Sequence, residues 1–335
     1  MRLLVLGGTG FLGHHAVTAA LDAGHEVSAF TRGGEAASGA ETIQGDRYGD
    51  LAELRGREWD AVLDTFSDPE AVARTARLFS GSAGVYGFVS GITNYHPEGP
   101  EVVDEDSPLR TSGDSLPDDP LHERGLAKLG CESAVHREFA GETFIVRPGI
   151  MVGPRDPTDR FSWWPGRLLR AVADGSEVLA PGDPDRPVQL TDARDLADWM
   201  VRVLAAGRGG IYNAVGPGRR ESASEVLDAC LRAARELSPT SNPREPGLTW
   251  VGETFLAANL RDVPEEERPL WFPEPQIPFE EVDSSRALAA GLRFRPTLQT
   301  ARDTLRWLGP RTGSDLAAKL SPQRERDLLR LWRAS

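Results

Sequence analysis

Cysteine is scarce in this chain, which contains two among 335 residues, Cys131 and Cys230. They lie far apart in segments that read as helix, so we interpret them as reduced structural thiols, and no Cys/His cluster has the spacing of a zinc site. Long apolar runs are also missing. Met1 and Arg2 lead directly into a short apolar run that cannot serve as a secretory signal. These absences predict a cytoplasmic protein that folds without disulfides or metal.

Basic residues are outnumbered by acidic ones, 38 against 51, which gives a net charge of −13. A strongly acidic surface repels phosphate backbones and anionic lipid head groups. We therefore predict a small-molecule substrate, with no nucleic-acid or membrane partner. Hydrophobic residues at 39% and charged residues at 27% are typical of a globular protein, and the length predicts one large or two modest domains.

Short apolar runs alternate with helical patterns through the first half of the chain. This alternation predicts an α/β fold, a Rossmann doubly wound parallel sheet with helices on both faces. The predicted strands are 2–6, 26–30, 41–44, 60–64, 84–89, 143–147, 187–190 and 210–214. The predicted helices of the first half are 11–23, 49–55, 69–79 and 122–139.

The character of the sequence changes after residue 150. Further helices are predicted at 192–206, 222–237, 283–290, 297–308 and from Ser321 onward, whereas the Pro-rich stretch 238–282 is predicted to be irregular. We divide the chain into an NADP-binding Rossmann domain (1–150 plus 187–215), a smaller C-terminal substrate lobe (151–186 and 216–309) and a C-terminal helical extension (310–335).

A glycine-rich string, GGTGFLG at 7–13, joins the first predicted strand to the first predicted helix. This context gives the GxxGxxG spacing its meaning, because the first glycines allow a tight turn and close approach of a diphosphate. The third lets the helix pack near the strand, and the helix N-terminus presents amide groups to the phosphates. The alternative is a structural turn without a ligand. We assign to the dinucleotide Gly7, Thr9, Gly10, Phe11, Leu12 and Gly13.

The second predicted strand ends without the acidic residue that usually binds the adenosine ribose of NAD. Arg32 stands there instead, and its guanidinium can pair with a 2′-phosphate, which favours NADP(H) over NAD. An ordinary exposed arginine is the alternative. Asp46, after the third strand, is placed either to accept from the adenine amino group or to cap a turn. Arg47 and Thr65 complete the predicted contacts on this side of the cofactor.

At this point the chain resembles the extended short-chain dehydrogenase/reductase superfamily, the group of NAD-dependent epimerase/dehydratases, over residues 1–309. It is most similar to actinobacterial reductase-like and atypical members. The motifs that carry the resemblance are GGTGFLG (7–13), QGDRYGDL (44–51), VSGITNY (89–95), KLGCE (128–132), RPGIMVGP (147–154), PVQLTDARDLA (187–197) and DSSRALAAGLRFRPTLQTARDTLRWL (283–308).

The resemblance implies a catalytic Tyr, a Lys four residues later on one helix face, and a Ser or Thr after the fifth strand. In this chain Lys128 is kept, Arg124 replaces the Tyr, and the Ser/Thr position falls on Gly91. We therefore take as catalytic candidates Lys128, Arg124, Tyr95, Thr93 and Ser90. The resemblance also implies that Lys128 holds the nicotinamide ribose, and it places Pro148 and Ile150 beside the nicotinamide.

Arginine stays protonated, so Arg124 can bind an anion or stabilise an oxyanion but cannot donate a proton. Three outcomes stay open at this point. Conventional carbonyl chemistry would use another donor, among Tyr95, His122, Thr93, Lys128 and an ordered water. Unconventional redox chemistry would reduce a group that arrives charged, such as an iminium ion. In the third, redox turnover is lost.

Cations and aromatic rings after the sixth strand suit a planar or acidic small molecule, although the same residues could pack the lobe or face water. The predicted substrate residues there are Arg155, Arg160 and Trp163, and the resemblance adds Arg186, which lies where nucleotide-sugar epimerases place an arginine on the sugar diphosphate. We predict an atypical NADP(H)-dependent reductase of a carbonyl or imine in a small anionic or aromatic metabolite, as a monomer or homodimer. The alternatives are a nucleotide-sugar epimerase/dehydratase and a non-catalytic NADP-binding protein.

Overall fold

The strands and helices are described here from a computed structural model. It covers residues 1–114, 119, 121–217, 219–238, 246–264, 268–271, 281–311, 316–318 and 320–335. The strands are β1 (Arg2–Leu6), β2 (Glu26–Thr31), β3 (Glu41–Gln44), β4 (Trp59–Asp64), β5 (Ala83–Val89), β6 (Val102–Val103), β7 (Glu142–Pro148), β8 (Ile150–Val152), β9 (Val178–Pro181), β10 (Pro187–Val188), β11 (Leu190–Asp192), β12 (Gly210–Ala214), β13 (Glu221–Ser222), β14 (Leu248–Val251) and β15 (Glu281–Val282). The helices are α1 (Phe11–Asp22), α2 (Pro69–Phe79), α3 (His122–Glu138), α4 (Trp163–Asp174), α5 (Ala193–Ala205), α6 (Ala223–Leu237), α7 (Glu253–Asn259), α8 (Ser285–Ala289), α9 (Thr297–Leu308) and α10 (Pro322–Ala334).

Seven strands form one sheet in the order β12-β7-β5-β4-β1-β2-β3, and every pairing in it is parallel. The chain winds outward from β1 to β3 and then returns to β4 on the other side of β1, so the winding direction reverses between β1 and β4. Leu6 is paired with Phe30 on one side and with Asp64 on the other. The predicted Rossmann doubly wound α/β fold is confirmed. Ligands of such sheets bind at the carboxyl ends of the strands beside this reversal.

Burial on both faces explains the continuous apolar runs of the central strands. Leu3, Leu4 and Val5 of β1 are fully buried, and so are Val62 and Leu63 of β4. Helix α1 packs against α5, and α2 packs against α3.

Residues 49–55, predicted as a helix, form only a short 3₁₀ turn at Ala52–Leu54. Glycine at position 49 has a low helix propensity, and its carbonyl oxygen accepts a hydrogen bond from Arg74 Nη2 at 2.7 Å rather than from a helical amide. The stretch 238–282, predicted to be irregular, contains β14 and α7, and β14 pairs in parallel with β9.

The chain divides into two compact units. The first unit comprises the described residues of Met1–Ile150, Ala193–Gly218 and Gln276–Phe294, and the second those of Met151–Asp192, Arg219–Pro275 and Arg295–Ser335. This division differs from the predicted one at 187–192, which lie in the second unit, and at 281–294, which lie in the first. Hydrogen bonds within the first unit hold the latter segment, because Asn213 Nδ2 donates to Asp283 O at 3.2 Å and Val215 N donates to Ser284 Oγ at 2.9 Å.

Helices α4, α6 and α9 pack on one another in the second unit. Residues 310–335, predicted as a separate extension, are also part of it. Glu325 of α10 is 2% exposed and accepts hydrogen bonds from Arg167 Nε at 2.7 Å and from Leu179 N at 3.0 Å. Among the described residues, no helix is both long and apolar enough to cross a membrane.

Candidate cofactor and active site

The glycine-rich turn after β1 has a backbone conformation and a close packing that only glycine allows, because glycine has no Cβ. Gly7 has φ +93°, a left-handed conformation, and its N–H donates to Phe30 O at 2.9 Å. A Cβ on Gly13 would lie 2.1 Å from the carbonyl oxygen of Gly7, closer than any real contact. Helix α1 therefore begins directly against the turn, as the close approach of a diphosphate to this backbone requires.

Helix α1 also begins without a capping side chain. Gly10 is its N-cap, no side chain accepts from its first amides, and its first turn contains no acidic residue. Asp68 caps α2, and Ser222 and Glu225 form a capping box on α6, whereas α1, like α3, α4 and α9, has no side-chain cap. The free amides and the positive end of the helix dipole of α1 are thus available to an anion. The residues present fit a dinucleotide diphosphate.

Arg32 and Asp46 follow β2 and β3, and both are exposed. Arg32 makes no hydrogen bond or ion pair with any described residue, so its guanidinium is available to a ligand. Asp46 Oδ1 accepts from Tyr48 N at 3.0 Å, which is the turn-capping arrangement. Its other carboxylate oxygen leaves the predicted adenine contact open.

Arg47 and Thr65 lie close to the turn. Arg47 is buried, its Nη1 donates to Asp64 Oδ1 at 2.6 Å, and its guanidinium lies over the ring of Phe66 at 4.5 Å. Thr65 Oγ1 donates to Leu6 O at 3.0 Å and lies 2.5 Å from the place that a Cβ on Gly7 would take. Both side chains line the turn, because Arg47 Nη2 lies 4.0 Å from the same Cβ position on Gly7, where it is buried with no hydrogen-bond partner among the described residues.

Asp64, at the end of β4, accepts hydrogen bonds from several residues beside the glycine-rich turn. This role was not predicted from the sequence. The carboxylate of Asp64 is fully buried and accepts from Arg47, from Phe66 N at 2.9 Å and from Tyr86 OH at 2.7 Å. Burial, and then the negative charge of Asp64, raise the pKa of Tyr86 well above its ordinary value. An acidic residue directly after the apolar run 61–63 was the available signal, because a carboxylate in that position needs buried partners.

Lys128 of α3 is buried at the carboxyl ends of two neighbouring strands. Its Nζ donates to Val89 O at 2.7 Å, at the end of β5, and to Phe66 O at 3.1 Å, just after β4. The ring of Phe88 lies 5.1 Å from the same nitrogen. Loss of hydration on burial lowers the pKa of Lys128 to about 8.

Arg124 lies one helical turn before Lys128, in the first turn of α3. The spacing of four residues puts the two side chains on one face of the helix. Arg124 is exposed and makes no hydrogen bond or ion pair with any described residue. Its positive charge nevertheless acts on Lys128 and contributes to lowering the pKa of Lys128. A permanent cation with an unengaged guanidinium therefore stands where the resemblance places a tyrosine.

Ser90 and Thr93, the two catalytic candidates with aliphatic hydroxyls that follow β5, differ in their hydrogen bonds. Ser90 is buried and its Oγ accepts from Asn94 Nδ2 at 2.9 Å. Thr93 Oγ1 is buried with no hydrogen-bond partner among the described residues, and it would lie 3.5 Å from a Cβ on Gly91. The Thr93 hydroxyl thus borders the space that the missing Ser/Thr side chain at position 91 would enter.

Tyr95 belongs to a buried polar network. Its hydroxyl donates to Asn213 Oδ1 at 2.6 Å and accepts from Arg147 Nη1 at 3.1 Å. Arg147 in turn donates to Glu132 Oε1 at 2.9 Å and Oε2 at 2.7 Å, and Glu132 accepts from Asn94 Nδ2 at 2.7 Å. Burial raises the pKa of Tyr95. This network holds the turn at 92–94, which carries Thr93.

The Glu132–Arg147 pair was likewise missed in the sequence. Burial acts to lower the pKa of Arg147, but the hydrogen bonds and charge of Glu132 outweigh it and raise that pKa. Arginine inside the apolar strand β7 was the available signal, because a charge on a buried strand needs a partner. Pro148, next along β7, is buried and Ile150 is half-buried, so Ile150 is the more accessible of the two predicted nicotinamide neighbours.

The predicted substrate residues all belong to the second unit. Arg155, with φ +72°, and Arg186 are exposed, and Arg160 is half-buried. Trp163 requires a correction: it is 1% exposed and its ring packs edge-on against Trp164 at 4.9 Å, so it fills the core of this unit. The packing alternative describes Trp163, and its ring is not a free stacking surface.

Comparisons with known proteins agree with this geometry. Residues 3–85 match the NAD dependent epimerase/dehydratase family. A 3-diazoavenalumate denitrifying reductase from a Streptomyces species is 30% identical over 178 residues, which are 46% of this chain and 57% of that protein. The match therefore spans little more than half the length of that relative. The predicted resemblance to the epimerase/dehydratases is confirmed.

Solved structures share the fold at low identity. The Bordetella bronchiseptica enzyme WbmH in complex with NAD⁺ is 16% identical, with a TM-score of 0.63 over 92% of this chain and 98% of that one. The UDP-glucuronic acid 4-epimerase from Bacillus cereus in complex with NAD is 17% identical, with a TM-score of 0.61 over 92% and 97%. A putative epimerase from Burkholderia cenocepacia is 17% identical, with a TM-score of 0.65 over 91% and 97%. At such identities they show the fold alone.

Proposed function

We propose that this relative of the NAD-dependent epimerase/dehydratases is a reductase that uses NADPH on a small, anionic, electrophilic metabolite. The observation that carries the proposal is the pair on one face of α3, in which Lys128 is buried and anchored while Arg124 is exposed and has no partner among the residues that the structure describes. The pair keeps the lysine of dehydrogenase chemistry and places a permanent cation beside it. Such a cation suits a carboxylate or phosphate of the substrate.

The cofactor would be held by the backbone of the glycine-rich turn. Gly7, Gly13 and the uncapped amides of α1 fit the diphosphate, and Thr65 lines the same turn. Arg32 supports NADPH over NADH, because its guanidinium is exposed at the end of β2 with no partner among the described residues to compete with a 2′-phosphate. When bound, the reduced nicotinamide supplies a hydride.

Two observations support the substrate class: the positive charge of Arg124 and the similarity to the Streptomyces protein that is named a reductase. Arg124 favours an anion near the reacting group. The Streptomyces protein is named for a diazo compound and for a reductive loss of nitrogen, which extends the predicted carbonyl or imine to other electrophilic groups that accept a hydride. We therefore include aromatic carboxylates that carry a carbonyl, an imine or a diazo group.

The competing function is a nucleotide-sugar epimerase, which the names of several structural neighbours suggest. Such enzymes first oxidise an alcohol, and the proton of that alcohol needs a base. Arg124 cannot serve as this base because arginine does not lose its proton near neutral pH. The tyrosine that the resemblance implies as this base is thus missing from position 124, and the Arg124 cation gives the reductase of an anionic substrate more support.

The decisive measurement is consumption of NADPH with a panel of aromatic and aliphatic carboxylates that carry C=O, C=N or diazo groups, against matched amides that lack the anion. We expect turnover with the acids and at least a tenfold lower kcat/KM with the amides, since a lost charged hydrogen bond costs about 1.5–3 kcal/mol. Arg124→Lys should retain part of this preference and Arg124→Ala should abolish it. Cofactor that stays tightly bound as NAD, with conversion of UDP-sugars and no NADPH consumption, would establish the epimerase instead.

A further inference from the structure

We propose that the side chain of Lys128 is the proton donor of this site and takes over the role that the resemblance gives to the missing tyrosine. This inference rests on the proposed reductase function. It selects one group from the side chains that the sequence leaves open as donors, and the selection follows from where the structure places each of these side chains.

The other side chains are unsuited to donate. Tyr95 OH is buried and already donates to Asn213, and burial raises the pKa of Tyr95 further from neutrality. Ser90 and Thr93 carry aliphatic alcohols, which are far weaker acids than an ammonium group, and Ser90 Oγ is engaged by Asn94. Arg124 keeps its proton.

His122 lies elsewhere on α3. It lies two positions before Arg124, so it points to another face of the helix. Its charge acts on Asp114 and Asp119, which lie before the helix begins. The imidazole therefore belongs to the acidic segment that precedes α3 rather than to the Arg124–Lys128 face.

The ammonium nitrogen of Lys128 is both anchored and incomplete in its hydrogen bonds. Two of its three N–H groups are directed to the carbonyl oxygens of Val89 and Phe66. The third has no acceptor among the described residues. Carbonyl groups accept from the ammonium and hold it in place without removing its proton, so the remaining N–H is available to a substrate atom at the strand ends.

Burial and the neighbouring charges together bring the pKa of Lys128 close to neutral pH. Burial disfavours the ammonium most strongly, and Arg124, one turn away on the same helix, acts in the same direction. Cys131, Asp64 and Glu132 act in the opposite direction but with less effect. Asp64 is neutralised by Arg47 of the first unit, and Glu132 by Arg147 of β7. The resulting pKa of about 8 is near the value at which a general acid works best at physiological pH.

Lysine is otherwise almost absent from the chain. Of 38 basic residues, two are lysines, Lys128 and Lys319, and 36 are arginines. Lys319 lies outside the described residues. Elsewhere a permanent cation suffices, whereas the buried position in the active site holds the one type of basic side chain that can release a proton when desolvated.

The proton balance is simple. For a substrate C=X bond, with X oxygen or nitrogen, carbon gains the hydride of NADPH and X gains a proton, so that C–H and X–H bonds form as the π bond breaks. The proton leaves Nζ of Lys128, and the electron pair of that N–H bond stays on nitrogen. The neutral amine then takes a proton from water. An aromatic carbon that carries a diazonium group gains only the hydride and loses N₂, so that reaction needs no proton from Lys128.

The composition allows a direct test. Protein labelled with ¹³C-lysine and carrying Lys319→Arg contains a single lysine, so one Cε resonance reports on Lys128 without ambiguity. We expect its titration midpoint near pH 8 in the free protein, with Arg124→Ala raising the midpoint. A midpoint at or above about 10.4, the value of an unperturbed lysine, would overturn the proposal.

Turnover supplies the second readout. In the Lys319→Arg background we expect kcat to fall above the same midpoint, because only the ammonium form donates. Lys128→Arg keeps the charge and N–H groups but cannot release a proton, so it should bind NADPH within a few-fold and lose at least about 100-fold in kcat. Equal kcat in Lys128→Arg and wild type would overturn this proposal alone. No NADPH consumption by wild type with any of the tested substrates would overturn the reductase function itself.

Discussion

Gly13 begins α1 so close to Gly7 that a methyl group on Gly13 would lie 2.1 Å from the Gly7 carbonyl oxygen. Gly13→Ala must therefore displace the helix start or the turn. We expect at least a tenfold weaker affinity for NADPH and a lower melting temperature, measured by calorimetric titration and thermal unfolding. Gly247→Ala is the control, since a Cβ there meets nothing within 4 Å. Wild-type affinity in Gly13→Ala would contradict a diphosphate site at this turn.

Cofactor choice is tested at Arg32. A charged hydrogen bond to a 2′-phosphate is worth about 1.5–3 kcal/mol, so Arg32→Ala should weaken NADPH binding by about 10- to 100-fold and leave NADH within about twofold. Arg208, another exposed arginine of the first unit, provides the matched control as Arg208→Ala. Tighter binding of NADH than of NADPH by the wild-type chain would be incompatible with the assigned role of Arg32.

The buried Glu132–Arg147 pair is tested by removing one partner and then both. Arg147→Met leaves the carboxylate of Glu132 buried without its ion pair, which should cost about 3–5 kcal/mol in the free energy of unfolding. The double variant Arg147→Met with Glu132→Leu removes both charges and should recover much of that loss. Urea denaturation measures both. A single variant within about 1 kcal/mol of wild type would show that the pair contributes little.

The burial of Lys128 predicts a stability that rises with pH. In the folded chain its pKa is lowered to about 8, whereas in the unfolded chain it is about 10.4. Between these values the unfolded state binds more protons, so raising the pH favours folding. The cost of burying the charge is fully present below pH 8 and disappears by about pH 10.4, which amounts to roughly 3 kcal/mol. The difference in unfolding free energy between wild type and Lys128→Met should shift by this amount in favour of wild type from pH 7.5 to 10.5. An unchanged difference would contradict the burial.

Much of the first unit could be predicted from the sequence because its signals are local. The apolar runs that became β1 and β5 are continuous, and a glycine turn between a strand and a helix is itself a local pattern. The prediction of a helix at 49–55 was wrong because Gly49 has a low helix propensity and its carbonyl oxygen accepts a hydrogen bond from the distant Arg74. That contact joins residues 25 apart, and no periodicity reports it.

The polar interior of the site was harder to predict for the same reason. Asp64, Tyr86 and Arg47 meet only once β4, β5 and the loop after β3 lie side by side. The sequence also gave no means of telling that Tyr95 OH would find Asn213, 118 residues later. Residue types and strand ends predicted where chemistry would lie, but the partner of each polar group depends on the packed sheet.

The ion pair between Glu325 and Arg167 has a consequence for how the protein folds while it is being synthesised. Glu325 is added to the growing chain 158 residues after Arg167, so until then Arg167 lacks the carboxylate with which it pairs in the second unit. The seven-stranded sheet, by contrast, has all its strands once Ala214 has been added. A translational arrest before α10, or a fusion that replaces α10, would therefore leave the sheet complete and the second unit incompletely packed. We expect chaperones to bind such a molecule.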